Sequence, residues 1–469
     1  MTWNKGRVKF HRTAAIIPAA LAIVSLPFYF GSSGIHAYFS GDDLMNLHGY
    51  WSKPPMELLK GNLLYYSASY RPLGGLFYVG LYSLFGLNPL PFRIVCMALF
   101  FLNLLLGFRL LNTLTSSLEM ALLATLFFAH HAGYADFYQN TGVIFDLLCF
   151  TFYCAGLELY IAARKDGRPV SATRFLAIVL AFLCALNSKE MAVSFPVVIL
   201  LYEIIIHKSL ANIGKALLLA LMVVPYLFLK LSADSLFSTI SDYKITLTLA
   251  QYTANNLHYH NLLFYLKNSV LTPGLLLGLL LGLLALAGLL RSKLMLFAMA
   301  FLLVTPLPII FISPRGSTFV YYIPLVGYSL YAASALLQLR GKCFQSMPDS
   351  AHRTMQAITF CLAFLLLFNL HAGNIIAEVE DARLRQTAFQ LRALNLKAKG
   401  EGRLLFLKDS FEKEDWSLLY ICRLLYNNPA LEVDRIKRMT ETPTAAEEQA
   451  YMYVLTHDGG KYQIALPAH

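Results

Sequence analysis

The sequence predicts an all-α polytopic membrane protein of about eleven transmembrane helices, followed by a small α/β domain outside the membrane. Three observations carry this. Of the 469 residues, 57% are hydrophobic and only 14% charged, well below the charged fraction of a soluble domain. Apolar stretches long enough to cross a bilayer recur along most of the chain. After residue 372 the pattern changes to short strand-like and amphipathic helix-like runs.

The 38 basic and 27 acidic residues leave a net charge of +11. Basic residues fall in short runs between apolar segments, so they read as topology signals and not as a nucleic-acid face. The seven cysteines show no CxxC pair and no metal-like spacing, which supports neither a disulfide framework nor a zinc site.

The first apolar stretch, Thr13 to Gly31, follows Lys5, Arg7, Lys9 and Arg12. It is as long as a span and lacks an A-x-A cleavage site, so a retained helix with a cytoplasmic N-terminus is expected. Further spans are expected from near residues 92, 117, 141, 172, 191, 213, 270, 293, 317 and 354. The apolar run Pro72 to Leu87 is left over. Counting it as a span would put Arg164, Lys165 and Arg168 outside and break the alternation of basic turns. It is therefore read, with Pro55 to Tyr66, as one of two short helices lying along the membrane surface. Residues 32–91, 232–269 and everything after about 372 then face outside, and any chemistry is expected there. Within the tail, residues 377–398 and 416–426 read as helices, and RLLFLKD, YMYVLT and KYQIAL as strands.

Four outer segments carry candidate functional residues. Asp42 and Asp43, in YFSGDDLMNLHGYW, are adjacent carboxylates near the membrane surface, able to deprotonate an acceptor hydroxyl; the same Gly-Asp-Asp also suits a turn or a helix N-cap. In HHAGYADFYQNTGVIFD, Asp136 lies in an outer loop and Asp146 enters the membrane, where an acid by default faces a cavity or a partner. Asn187-Ser188-Lys189-Glu190 separates two apolar runs as an outer turn, whose charges are either solvated or placed for a phosphate. Ser313-Pro314-Arg315-Gly316, followed by Tyr321 and Tyr322, forms another. Arg315 and Arg71 have two readings each, as clamps on a phosphate head group or as arginines snorkelling to lipid phosphates.

The order of these blocks resembles the GT-C membrane glycosyltransferases, in particular protein O-mannosyltransferases and the transmembrane mannosyltransferases that carry tetratricopeptide repeats. The acid pair Asp42-Asp43 matches the first-loop acidic motif, and Arg71-Pro72-Leu73 through Leu84-Phe85-Gly86-Leu87-Asn88-Pro89 resembles the RPL…LFGLNP segment. His131, Asp136, Asp146, Leu147 and Leu148 fit a pattern of the form HPxHTEAVAxxxGRxELL, and Ser188-Lys189-Glu190-Met191-Ala192 with Pro196 matches SKExAxxxP. The chain departs at Tyr134 and at Ile144-Phe145, lacks the repeats, and carries Thr318 to Pro324 without an arginine where an ERYLYLP element is expected.

The resemblance implies a GT-C transmembrane catalytic domain over residues 1–372 and an extracytoplasmic α/β domain over 373–469. It implies an inverting glycosyltransferase of a bacterial inner membrane, taking a sugar from a polyprenyl-phosphate donor and passing it to an extracytoplasmic acceptor: a lipid, a glycan or a protein. Asp42 and Asp43 are the expected catalytic residues, with Asp42 as general base. Arg71, Asp136, Asp146, Lys189, Glu190, Arg315 and Tyr322 are the expected substrate-binding residues, the cations facing the donor phosphate. No cofactor is expected and a divalent metal is not favoured. The expected partners are the lipid-linked donor, the acceptor and membrane lipids, with no nucleic acid. Two other classes fit the span count: a transporter for a lipid-linked sugar or other solute, and a GT-C scaffold that catalyses nothing. An O-antigen ligase or polymerase is a nearer rival, with its key residues expected in a late outer loop and not in the first.

Overall fold

A computed structural model describes residues 12–32, 34–67, 69–131, 138–165, 168–230, 245–266, 270–312, 321–344, 348–374, 382–398 and 400–466. The chain opens with helix α1 (Arg12–Gly31) and then three short helices, α2 (Gly41–Trp51), α3 (Pro55–Leu63) and α4 (Pro72–Phe85). Of these α2 is the one the sequence reading leaves open, since Gly-Asp-Asp serves equally as turn and cap. Ser40 caps it, in a reciprocal box with Asp43. Helix α4 has 14 residues, about 21 Å of helix against the roughly 30 Å of a hydrocarbon core, so it cannot cross alone.

The bundle follows as α5 (Pro89–Thr115), α6 (Leu118–Ala129), α7 (Ile144–Arg164, entered by a 3₁₀ turn at Thr141–Val143), α8 (Ala172–Ser188) and α9 (Phe195–Leu201), which continues as a π-helical turn at Tyr202–His207. Next come α10 (Ile213–Lys230), α11 (Leu249–Leu263), α12 (Pro273–Leu289), α13 (Lys293–Val304), α14 (Pro324–Cys343) and α15 (Asp349–Asn374). Each expected span has a helical segment in its stretch of the chain, although α6 and α13 have only 12 residues each and the start expected near 317 lies outside the described residues. Among the described residues five segments, Pro89–Thr115, Thr141–Arg164, Glu190–His207, Ile213–Lys230 and Ala351–Asn374, are by length and composition apolar enough to cross a membrane, and the chain is an integral membrane protein.

Helix α7 is the axis of the bundle. It packs on α8 along one side and on α5 along the other, and α6, α14 and α13 extend the layer beyond α5. Its length is lined by fully buried Phe150, Tyr153, Leu157 and Tyr160. At its far end Arg164, counted in the sequence among exposed topology signals, is buried. Its Nε lies 2.6 Å from Glu203 of the π turn, which also accepts from the Tyr160 hydroxyl at 2.8 Å. The shift follows from burial: an arginine under a bundle needs a carboxylate partner.

The tail folds as α16 (Ala382–Ala393), β1 (Arg403–Phe406), α17 (Ser417–Leu425), β2 (Glu432–Arg435), α18 (Ala445–Glu448), β3 (Tyr453–Asp458) and β4 (Lys461–Leu466). The sheet order is β2-β1-β3-β4, with β1 parallel to β2 and β3, and β4 antiparallel to β3. A βαβ crossover through α17 links β1 to β2. Strand β2, a polar four-residue run, is the element the sequence pattern hides.

Candidate active site

The site is assembled on the first two turns of α7. At Thr141, immediately before the helix, the backbone N–H (2.8 Å) and the hydroxyl (2.6 Å) both donate to one carboxylate oxygen of Asp43. The other Asp43 oxygen accepts from the Ser40 backbone N–H (2.9 Å) and from Arg93 Nη2 (3.3 Å). Asp43 is thus fully buried with both oxygens engaged. Its neighbour Asp42 is exposed on the first turn of α2. Two adjacent acids that look alike in sequence have different surroundings: Asp43 ties α2 to α5 and α7, and Asp42 meets solvent.

One turn further along α7, Phe145 lies beneath Arg71, whose guanidinium carbon is 5.1 Å from that ring and 4.6 Å from the ring of Tyr70. Helix α4 reaches this position because Gly74 has no side chain. A Cβ there would stand 2.3 Å from the Phe145 ring. Arg71 precedes α4 in the left-handed backbone region, with φ of 39°, a conformation that costs a non-glycine residue energy and is met at functional sites. Its Nε and Nη2 donate to the two oxygens of Glu190 at 3.1 and 2.8 Å. Beside this pair, Lys189 Nζ lies 2.6 Å from Asp146 Oδ1.

Lys189 and Glu190 are held at this point by a break in the helix. Helix α8 stops at Ser188, Lys189 is extended, and a 3₁₀ turn at Glu190–Ser194 leads into α9 at Phe195. Asn187 donates to the Asn62 carbonyl (2.8 Å), and Asn62 donates to that of Pro72 (2.9 Å), so the first loop covers the break. Asn187, Ser188, Lys189 and Glu190 are all buried. The solvated-turn reading of these charges is therefore overturned, because α3 and the strap leading into α4 close over them.

A residue absent from the sequence reading completes the cluster. Lys230, at the end of α10, is buried, and its Nζ donates to the Ser69 carbonyl within electrostatic reach of Glu190 and Arg71. A lysine ending an apolar span looks in sequence like an ordinary snorkelling residue. Tyr322 lies in the aromatic interior, 4.4 Å from Phe150 and 5.3 Å from Phe128 between ring centroids and within electrostatic reach of Asp146. Asp136 and Arg315 lie outside the described residues. Among the described residues no group of three His, Cys, Asp or Glu side chains is placed to hold a metal ion.

An apolar groove of about 350 Å³ lies between α4, α5 and α7, lined by Leu73, Phe77, Leu99, Ile144 and Leu148 and by no charged side chain. Over the other side of α2 lies the tail domain. Tyr82 donates to the Leu424 carbonyl at 2.5 Å, the Arg423 guanidinium is 3.5 Å from His48, and the Tyr420 and His48 rings are 5.0 Å apart. Burial, with help from Arg423, pushes the His48 imidazole down to about 4.

The solved structure of ArnT from Cupriavidus metallidurans bound to undecaprenyl phosphate superposes with a TM-score of 0.53 over 95% of this chain and 94% of that one, at 11% sequence identity. The chain has a GT-C fold. The apo form of the same ArnT gives a TM-score of 0.49 at 14% identity, over the same shares of the two chains. No protein-family model matches the chain, and no curated protein sequence matches it. The likeness reaches the GT-C fold and does not extend to the mannosyltransferase branch suggested by the sequence blocks.

Proposed function

We propose that this protein is an integral membrane glycosyltransferase that takes a sugar from a polyprenyl-phosphate donor and attaches it to an extracytoplasmic acceptor. The observation that carries the reading is the buried Arg71, Lys189 and Lys230 cluster within a GT-C fold, whose helix α4 also borders an apolar groove. A phosphate on a long hydrocarbon tail needs cations at its head and apolar walls below, as a groove between α4, α5 and α7 supplies. The fold neighbour's bound undecaprenyl phosphate supports the same donor class.

In the proposed reaction Asp42 accepts the proton of the acceptor hydroxyl, the acceptor oxygen attacks the anomeric carbon with inversion, and the bond from that carbon to the phosphate oxygen breaks. Polyprenyl phosphate leaves with the bonding electrons, and the cluster stabilises that developing charge without requiring a divalent metal. Asp43 positions α2, and Asp146 and Glu190 hold the two cations in place. We assign residues 1–372 to the catalytic part and 373–469 to an extracytoplasmic domain. By the alternation of basic turns the N-terminus is cytoplasmic, and we place the protein in a bacterial inner membrane.

The test is transfer from a panel of radiolabelled polyprenyl-phosphate sugars, mannose among them, into membrane extracts. Wild-type protein is expected to transfer one of them and Asp42→Asn at matched expression to transfer none. Full transfer by a folded Asp42→Asn protein would remove the base assignment. Donor binding without transfer by either protein would favour a carrier or scaffold.

A further inference from the structure

The ionic cluster does not balance. Among the described residues it holds three cations, Arg71, Lys189 and Lys230, and two carboxylates, Asp146 and Glu190. The carboxylates are taken: Glu190 by both nitrogens of the Arg71 fork, and Asp146 by Lys189. Lys230, only 7% exposed, has among the described residues one hydrogen-bond acceptor, the neutral carbonyl of Ser69. The ammonium has lost most of its hydration, and the carboxylate within its electrostatic reach, Glu190, is already held by the Arg71 fork. Such a site favours an anion.

The acceptor it does have belongs to an irregular segment of chain. Ser69 sits in the strap between α3 and α4, where no helix or strand fixes the backbone. That strap is pinned by the Tyr50 hydroxyl, which lies 2.8 Å from the Tyr70 carbonyl and 3.3 Å from that of Arg71. It ends in the left-handed Arg71. A phosphate oxygen entering beside Arg71 competes with the Ser69 carbonyl for the same Nζ proton and brings the missing negative charge.

Building on the donor reading above, we propose that Lys230 is a phosphate ligand of this enzyme, held by the Ser69 carbonyl until the phosphate head of the donor replaces it. Lys189 and Arg71 remain in their pairs, and Lys230 is the cation whose partner changes.

The experiment measures binding of undecaprenyl phosphate to the full-length protein in nanodiscs, with inorganic phosphate as competitor, for wild type, Lys230→Met, Lys230→Arg and Lys189→Met. Lys230→Met is expected to bind the lipid about 10- to 100-fold more weakly, the loss of one charge-assisted hydrogen bond. Its melting temperature stays equal or rises, because no carboxylate loses a partner. Lys230→Arg retains most of the affinity, whereas Lys189→Met melts lower because Asp146 is left alone. Competition by inorganic phosphate in the wild type, weakened in Lys230→Met, would place the contact on the phosphate and not on the tail. Equal lipid affinity in wild type and Lys230→Met overturns the assignment of Lys230 and leaves the donor reading intact. No lipid binding by the wild type overturns both.

Discussion

Arg71 and Glu190 stand 119 positions apart in the chain and meet as a two-pronged ion pair, with nitrogen to oxygen distances of 3.1 and 2.8 Å. The contact joins the strap of the first outer loop to the break between α8 and α9, and both side chains are largely buried. Removing one partner of a buried pair leaves an uncompensated charge. Arg71→Ala is therefore expected to destabilise the protein by about 3–5 kcal/mol. The double change Arg71→Met with Glu190→Gln recovers most of that while transfer stays low. Thermal unfolding in detergent, read alongside transfer, checks both halves. An Arg71→Ala protein with wild-type stability would show that the pair is not formed.

The two adjacent acids separate by the same logic. Asp42→Asn is expected to keep the melting temperature and to lower the transfer rate by about 10²- to 10⁴-fold, the usual worth of a general base. Asp43→Asn loses the charge that Arg93 faces and is expected to melt lower. The comparison needs only the two melting curves and two rates, and a reversed pattern would exchange the roles of the residues.

Gly74 offers a purely steric test. A Cβ would meet the Phe145 ring, so Gly74→Val forces α4 away from α7 at about 1–3 kcal/mol and shifts Arg71 off its seat. Transfer is expected to fall more than stability does, and Phe145→Ala in the same chain to restore part of it. Unchanged transfer in Gly74→Val would mean that the approach of α4 to α7 is not needed.

Docking of the tail domain depends on pH through His48. Its imidazole is held down to about 4, from an ordinary 6.5, by burial and by Arg423. The undocked state therefore binds a proton at higher pH than the docked one. Docking is strongest above about pH 6.5 and weakens as the pH falls toward 4. Amide exchange over Ser417–Leu425, corrected for intrinsic rates, is expected to speed up at pH 5 relative to pH 7.5. In His48→Gln the difference should vanish, and its persistence there would assign the effect to another group.

Much of the fold is legible in the sequence because it rests on long apolar runs and on alternation in the tail. The short pieces are not. Helix α2 is capped by Ser40 with Asp43, a local signal that serves a turn equally well, and the helix is covered by α17, hundreds of residues away. Strand β2, Glu432–Arg435, is polar and exists because β1 pairs with it. At the site, the residue types of Arg71, Asp146, Lys189 and Glu190 are visible, but not their pairing across the chain. Lys230 is invisible as a ligand, since only the fold carries the Ser69 carbonyl to it. Tyr322 reads as a site residue beside a turn, and its packing against the stacked rings of Phe128 and Phe150 is set by the fold alone.

The most direct test of the central claim uses one donor carrying two labels, tritium in the sugar and ³²P in the lipid phosphate, incubated with protein reconstituted in vesicles. A polyprenyl-phosphate-dependent transferase sends the tritium to the acceptor and leaves the ³²P on the lipid, and Asp42→Asn keeps the two together. If both labels cross the membrane on one molecule and never part, the protein moves its lipid-linked sugar without breaking a bond, and the account is contradicted.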